Sequence, residues 1–176
     1  MAGRTLGKRL LVTVPVILLL GIGSGWVAGS GEENLWYAAL EKPGFVPPGW
    51  VFPVAWTTLY ILMGVALALV LDARDAPKRG LAIALFAAQF LLNLAWSPLF
   101  FGLHQVRIAL VVVISMALIV AILIPLFRRI RPLAGWLLLP YLVWLCLATA
   151  LNWEIARLNP NAETLVPGDA RGQIAR

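Results

Sequence analysis

Apolar side chains run along this chain in five stretches, at residues 10–28, 51–71, 80–101, 108–127 and 133–156, separated by polar or proline-rich connections. About 20 helical residues cross the hydrocarbon core of a bilayer, so each stretch predicts a transmembrane helix. None holds a Lys, Arg or Asp, and their one Glu, Glu154, lies near the end of the fifth. The third stretch breaks the apolar pattern. Its segment QFLLNLAWSPLFF, residues 89–101, carries Gln89, Asn93 and Trp96. At about 100° per residue these three and Phe100 fall on one helical face, and polar groups in a membrane helix need a partner or a ligand.

The connections define one domain, residues 1–159, with a single long link. Residues 30–50 begin with Glu32 and Glu33, continue through a short helical pattern bearing Trp36 and Leu40, and end in a run stiffened by Pro43, Pro47 and Pro48. So stiff and aromatic a link reads either as a lid or as an aromatic anchor at the level of the lipid headgroups. The other links are short and make successive helices antiparallel neighbours. Residues 160–176 are polar, contain Gly and Pro, and predict a disordered tail.

Composition supports the membrane reading: 61% of residues are hydrophobic, and the mean hydropathy is +0.89. The net charge of +6 sits mostly in the links, so it speaks for headgroup attraction and topology rather than nucleic-acid binding. Basic residues concentrate on the side of the N-terminus (Arg4, Lys8, Arg9, Arg74, Lys78, Arg79, Arg128, Arg129, Arg131), which predicts a cytoplasmic N-terminus. The basic start and first apolar run also resemble a secretory signal, but Gly21, Gly25 and Gly29 recur every fourth residue, as where membrane helices pack closely. The lone Cys146 excludes an internal disulfide and reads as a small buried hydrophobe. His104 reads as a solvated loop residue, and Glu154 as the helix-end partner of Arg157. No nucleophile–base set, carboxylate pair or phosphate loop is present, so neither a conventional enzyme nor a metal or cofactor is expected.

Depth along the helices, at about 1.5 Å per residue, brings unusual side chains together. Measured from the side of the long link, Trp56, Trp96 and Asn152 lie roughly 6–8 Å deep, and Tyr60, Asn93 and Ala148 roughly 11–13 Å deep. Trp144, Ala148 and Asn152 step by four along the fifth helix. Aromatic walls with a few amides suit a large, flat, mostly apolar molecule, and no charge is expected to line the space. The alternative is that Gln89, Asn93 and Asn152 simply bond helix to helix. On the other side of the third helix Gly80, Ala84 and Ala88 form a small-residue ridge, a candidate homodimer interface. No ionisable group lies mid-membrane to couple active transport.

Three segments, WYAALEKPGFVPPGWVFPVAWTTLY at 36–60, QFLLNLAWSPLFFG at 89–102 and PYLVWLCLATALN at 140–152, resemble the translocator protein family, also called tryptophan-rich sensory proteins or peripheral-type benzodiazepine receptors. The resemblance implies a five-helix receptor or sensor in a bacterial cell membrane, usually a homodimer. It would bind porphyrins and haem precursors as ligands rather than cofactors, together with sterols and isoquinoline or benzodiazepine drugs. Light-dependent porphyrin breakdown and facilitated transport of tetrapyrroles or lipids are the alternatives it carries. The family's pocket falls on Trp56, Asn93, Trp144 and Ala148, with Trp36 and the Pro47–Pro48 turn as lid. Together with the depth argument this gives a predicted site of Trp36, Pro47, Trp50, Trp56, Tyr60, Asn93, Trp96, Phe100, Trp144, Ala148 and Asn152. Two positions depart from the family pattern: Phe45 stands for a lid Trp, and Trp153, between Leu151 and Arg157, stands where the sterol-recognition pattern has Tyr.

Overall fold

The structure, a computed structural model, describes residues 2–165. Among them five helices are long and apolar enough to cross a membrane, and no strand is present. Helix α1 (Ala2–Val27) is followed by a loop holding the short α2 (Leu35–Ala39). Then come α3 (Val51–Asp72), α4 (Arg79–Ser97) and α5 (Val106–Ile130), and a short α6 (Pro132–Trp136) leads into α7 (Leu139–Leu158). The chain is thus an all-α, multi-pass integral membrane protein.

Two expected spans are not continuous α-helix, and a proline explains each. Pro98 cannot donate to the carbonyl of Leu94, and the chain widens into a π-turn over Pro98–Gly102, closed by Leu103 N–H on Pro98 O at 2.9 Å. The orphaned Leu94 carbonyl takes the Ser24 hydroxyl of α1 at 2.6 Å instead. Pro140 likewise offers no N–H to Trp136 O, and the fifth span divides there into α6 and α7.

Helix α1 also begins earlier than expected, because its basic first turns are tied to the bundle. Arg9 meets the Asp72 carboxylate at 2.8 Å, and Thr5 donates to the same oxygen at 3.2 Å. Higher up, Thr13 donates to Gly64 O at 2.8 Å. A side chain at Gly64 would press into the Val14 backbone, so this glycine sets the close approach of α1 to α3. At its other end α1 closes with Ser30 N–H on Gly25 O and Gly29 N–H on Trp26 O, with Gly29 left-handed at φ +62°.

Helix α5 packs against both α4 and α7, while α3 meets α6 at the basic end and hardly approaches α7. The bundle therefore opens toward the 30–50 loop. That loop is docked rather than loose: Trp36 and Leu40 pack with Phe100, Val106, Ala109, Ile155 and Ala162 in a small core of their own. In the segment expected to begin the polar tail, the chain turns through a 3-10 helix at Ala162–Thr164, and Ala162 and Leu165 pack into this core. The rest of the expected tail, 166–176, lies outside the described residues.

Candidate ligand-binding cavity

A cavity of about 680 Å³ fills the opening between α1, α3, α4, α5 and α7 beneath the loop. That size lies within the range typical of small-molecule sites. Of the predicted residues, Trp56 and Tyr60 from α3, Asn93 and Trp96 from the end of α4, Phe100 from the π-turn after it, and Trp144, Ala148 and Asn152 from α7 all line it. The depth match along three helices therefore corresponds to one shared space. Trp56 is the centre of the aromatic wall. It stacks on Tyr60 at 5.3 Å, and Trp144 meets it edge to face at 6.3 Å, as Tyr141 does at 6.4 Å. Phe52 closes the gap between α3 and α7 by an edge contact with Trp144 at 5.8 Å.

The polar face of α4 is satisfied by a directed chain of hydrogen bonds. Tyr60 Oη donates to Asn93 Oδ1 at 3.0 Å, Asn93 Nδ2 donates to Tyr141 Oη at 3.0 Å, and Tyr141 Oη donates to Gln89 Oε1 at 3.0 Å. Gln89 Nε2 then has only the Met63 thioether, at 4.0 Å. Nearer the loop, Trp96 Nε1 donates to Asn152 Oδ1 at 3.3 Å, and Asn152 Nδ2 to Val106 O at 3.0 Å. All three amides join helices, and Asn93 and Asn152 also line the cavity, whereas Gln89 lies buried behind it. Asn93 already has a protein partner at each end of its amide. By contrast, the indole N–H groups of Trp56 and Trp144 have no partner among the described residues, so they are the free donors of the wall.

Three predicted lid residues stand elsewhere. Trp36 is 2% exposed and faces away from the cavity, its Nε1 bonded to Ala162 O at 2.9 Å and its ring stacked on His104 at 4.3 Å. Periodicity could not reveal a contact across 126 residues of sequence. Trp50 is 68% exposed, and Pro47 lies in a turn whose neighbours Val46 and Gly49 line the cavity instead. His104, half-buried and held in a left-handed conformation at φ 57°, stacks on Trp36, so the lone histidine has a packing role in the loop. Cys146 is exposed on α7 rather than buried. Tyr141, absent from the predicted set, is the buried hub of the polar chain.

The expectation of an uncharged lining also fails at the mouth. Folding of the loop brings Glu32, Glu33 and Lys42 to the cavity's rim, with Tyr37 beside them. Burial first, and the Glu32 carboxylate second, push the Tyr37 phenol above its ordinary pKa, so its ring stays neutral beneath the Lys42 ammonium, 4.6 Å from the centroid. Of the residues outlining the sterol pattern, Leu151 lines the cavity while Trp153 and Arg157 lie outside it; Trp153 is exposed and Arg157 pairs with Glu154 at 2.8 Å.

Five membrane helices around an aromatic cavity, roofed by a docked loop, define a helical membrane protein with a loop-capped internal cavity. Residues 12–158 match the TspO/MBR family, and the chain belongs to it. It is 45% identical over 130 residues to a tryptophan-rich sensory protein of Cereibacter sphaeroides, covering 74% of this chain and 80% of that one. To the protein CrtK of Rhodobacter capsulatus it is 40% identical over 135 residues, covering 76% and 84%. To the human translocator protein it is 39% identical over 140 residues, covering 78% and 82%. Two of these relatives, the Cereibacter and human proteins, carry sensory and translocator names. The match extends the resemblance from the three quoted segments back through most of α1.

Proposed function

We propose that the protein is a membrane receptor for tetrapyrroles, taking protoporphyrin or a haem precursor into the cavity beneath the loop. The observation that carries this reading is the Trp56–Trp144 wall. Two indoles cross at 80° with their N–H groups unpartnered, in a space of about 680 Å³ whose other walls are largely apolar. A planar macrocycle stacks on one indole and meets the edge of the other. The same walls suit flat drugs of the isoquinoline or benzodiazepine type. Sterol binding has less support, since Trp153 and Arg157 stand apart from the cavity.

The reading is tested by titrating purified protein with protoporphyrin IX in the dark and following the porphyrin absorption band. Saturable uptake at one porphyrin per chain is expected. Uptake that rises linearly with detergent alone and never saturates would remove the proposal.

A second reading rests on the same free indoles. Aromatic side chains in contact with an excited porphyrin are positioned for light-driven degradation of the ligand, with dissolved dioxygen as the oxidant. Illumination of the saturated complex then yields an altered porphyrin, and an unchanged spectrum after illumination would exclude it. The homodimer is proposed through Gly80, Ala84 and Ala88, all exposed on the outer face of α4.

A further inference from the structure

Within the reading of the cavity as a tetrapyrrole site, the mouth carries a feature that the aromatic walls do not explain. Lys42 is the one cationic side chain lining the cavity among the described residues, and no carboxylate lies within ion-pair distance of it. Its backbone is held from both sides. The Asn159 side chain grips the preceding residue twice, accepting from Glu41 N–H at 2.9 Å and donating to Glu41 O at 2.9 Å, and the following Pro43 is buried with its φ fixed by the ring. Asn159 is itself anchored to α7 by a bond to Ile155 O at 2.9 Å. The ammonium rests over the neutral ring of Tyr37. An ordered cation without a counter-ion at the mouth of an apolar cavity is a preorganised point for an anion.

The remaining charges of the rim sharpen this. Glu32 and Glu33 line the mouth as well and form no ion pair among the described residues; the Glu32 carboxylate packs against Gly49, where an added side chain would collide with it. A ligand carboxylate placed on their side meets like charge, whereas at Lys42 it meets the one positive group. We infer that Lys42 is a specificity-determining residue of the cavity, selecting flat apolar ligands that carry a carboxylate on one edge and fixing which edge faces the mouth. For a porphyrin the selected group is a propionate, with the vinyl-bearing edge directed inward toward Trp56 and Trp144.

The test titrates the full chain in the dark with protoporphyrin IX and, separately, with its uncharged dimethyl ester, for wild type, Lys42→Gln and Lys42→Arg. Lys42→Gln is expected to raise the Kd of the free acid about tenfold, a change of about 1.4 kcal/mol, while the Kd of the ester stays as in wild type. Lys42→Arg retains the charge and keeps the acid's affinity within about twofold, and added salt weakens the acid but not the ester, since a charge at the mouth is screened. An unchanged Kd for the acid in Lys42→Gln would overturn the inference, as would equal weakening of acid and ester. Wild type that binds the ester but not the acid overturns the anchor and leaves the pocket; wild type that binds neither removes the pocket and the anchor with it.

Discussion

Tyr60 donates its hydroxyl to Asn93 Oδ1 across 3.0 Å, joining α3 to α4 at the floor of the cavity. The bond fixes which end of the Asn93 amide faces α3 and leaves Nδ2 to donate to Tyr141 on α7. Asn93 is therefore first a structural link among three helices, and its effect on a ligand passes largely through the positions of Tyr60 and Tyr141.

Tyr141→Phe is expected to destabilise the bundle. It removes the donor to Gln89 Oε1 and the acceptor for Asn93 Nδ2 in a site that is 0% exposed. Unmade buried bonds cost about 1–3 kcal/mol, although interhelical bonds in membranes average nearer 0.6 kcal/mol. Thermal unfolding in detergent should show a lower midpoint; an unchanged midpoint would mean that the polar chain contributes nothing to stability.

Ser24 and Pro98 make a reciprocal pair. Ser24→Ala leaves the Leu94 carbonyl without a donor and should cost about 1 kcal/mol. In a Pro98→Ala background the backbone N–H is restored to α4, and the same serine substitution should cost markedly less. Equal costs in the two backgrounds, measured as a double-mutant cycle, would refute the link.

Trp36→Leu should loosen the loop without emptying the aromatic wall. The substitution deletes the bond to Ala162 O and the stacking on His104, and Trp truncations in cores cost about 3–5 kcal/mol. Hydrogen exchange is expected to rise at residues 30–50 and 160–165 together, because one indole holds both. Exchange rising in the loop alone would show that the two segments are docked independently.

Much of this arrangement was legible in the chain. Five apolar runs gave five spans, and an amide in hydrocarbon identified the inward face of α4, because such a group has few acceptable surroundings. Depth counting then matched Trp56 with Trp96 and Asn152, whose side chains share the cavity. Tyr141 escaped because a phenol in an apolar run is less conspicuous than an amide, yet its hydroxyl carried the same demand for a partner. Its position seven residues before Ala148, on the same helical face, was the available signal. The charged rim was not legible. Lys42 reaches the mouth through the grip of Asn159 on Glu41, 118 residues apart in sequence, and helical periodicity says nothing of loop contacts at that distance.

The outward ridge of α4 yields a further test. With Cys146→Ser to remove the exposed native thiol, Ala84→Cys in membranes should crosslink to a dimer under mild oxidation. Monomer alone would exclude this face as the interface.

The most direct test of the cavity compares two tryptophans from the predicted site that the fold sends in opposite directions. Trp144 forms the aromatic wall, and Trp50 is 68% exposed outside it. In dark titrations with protoporphyrin IX, Trp144→Ala should weaken binding about tenfold through the loss of a stacking contact, while Trp50→Ala binds as wild type. Wild-type affinity in Trp144→Ala, or equal loss in both variants, would contradict a binding site in this cavity.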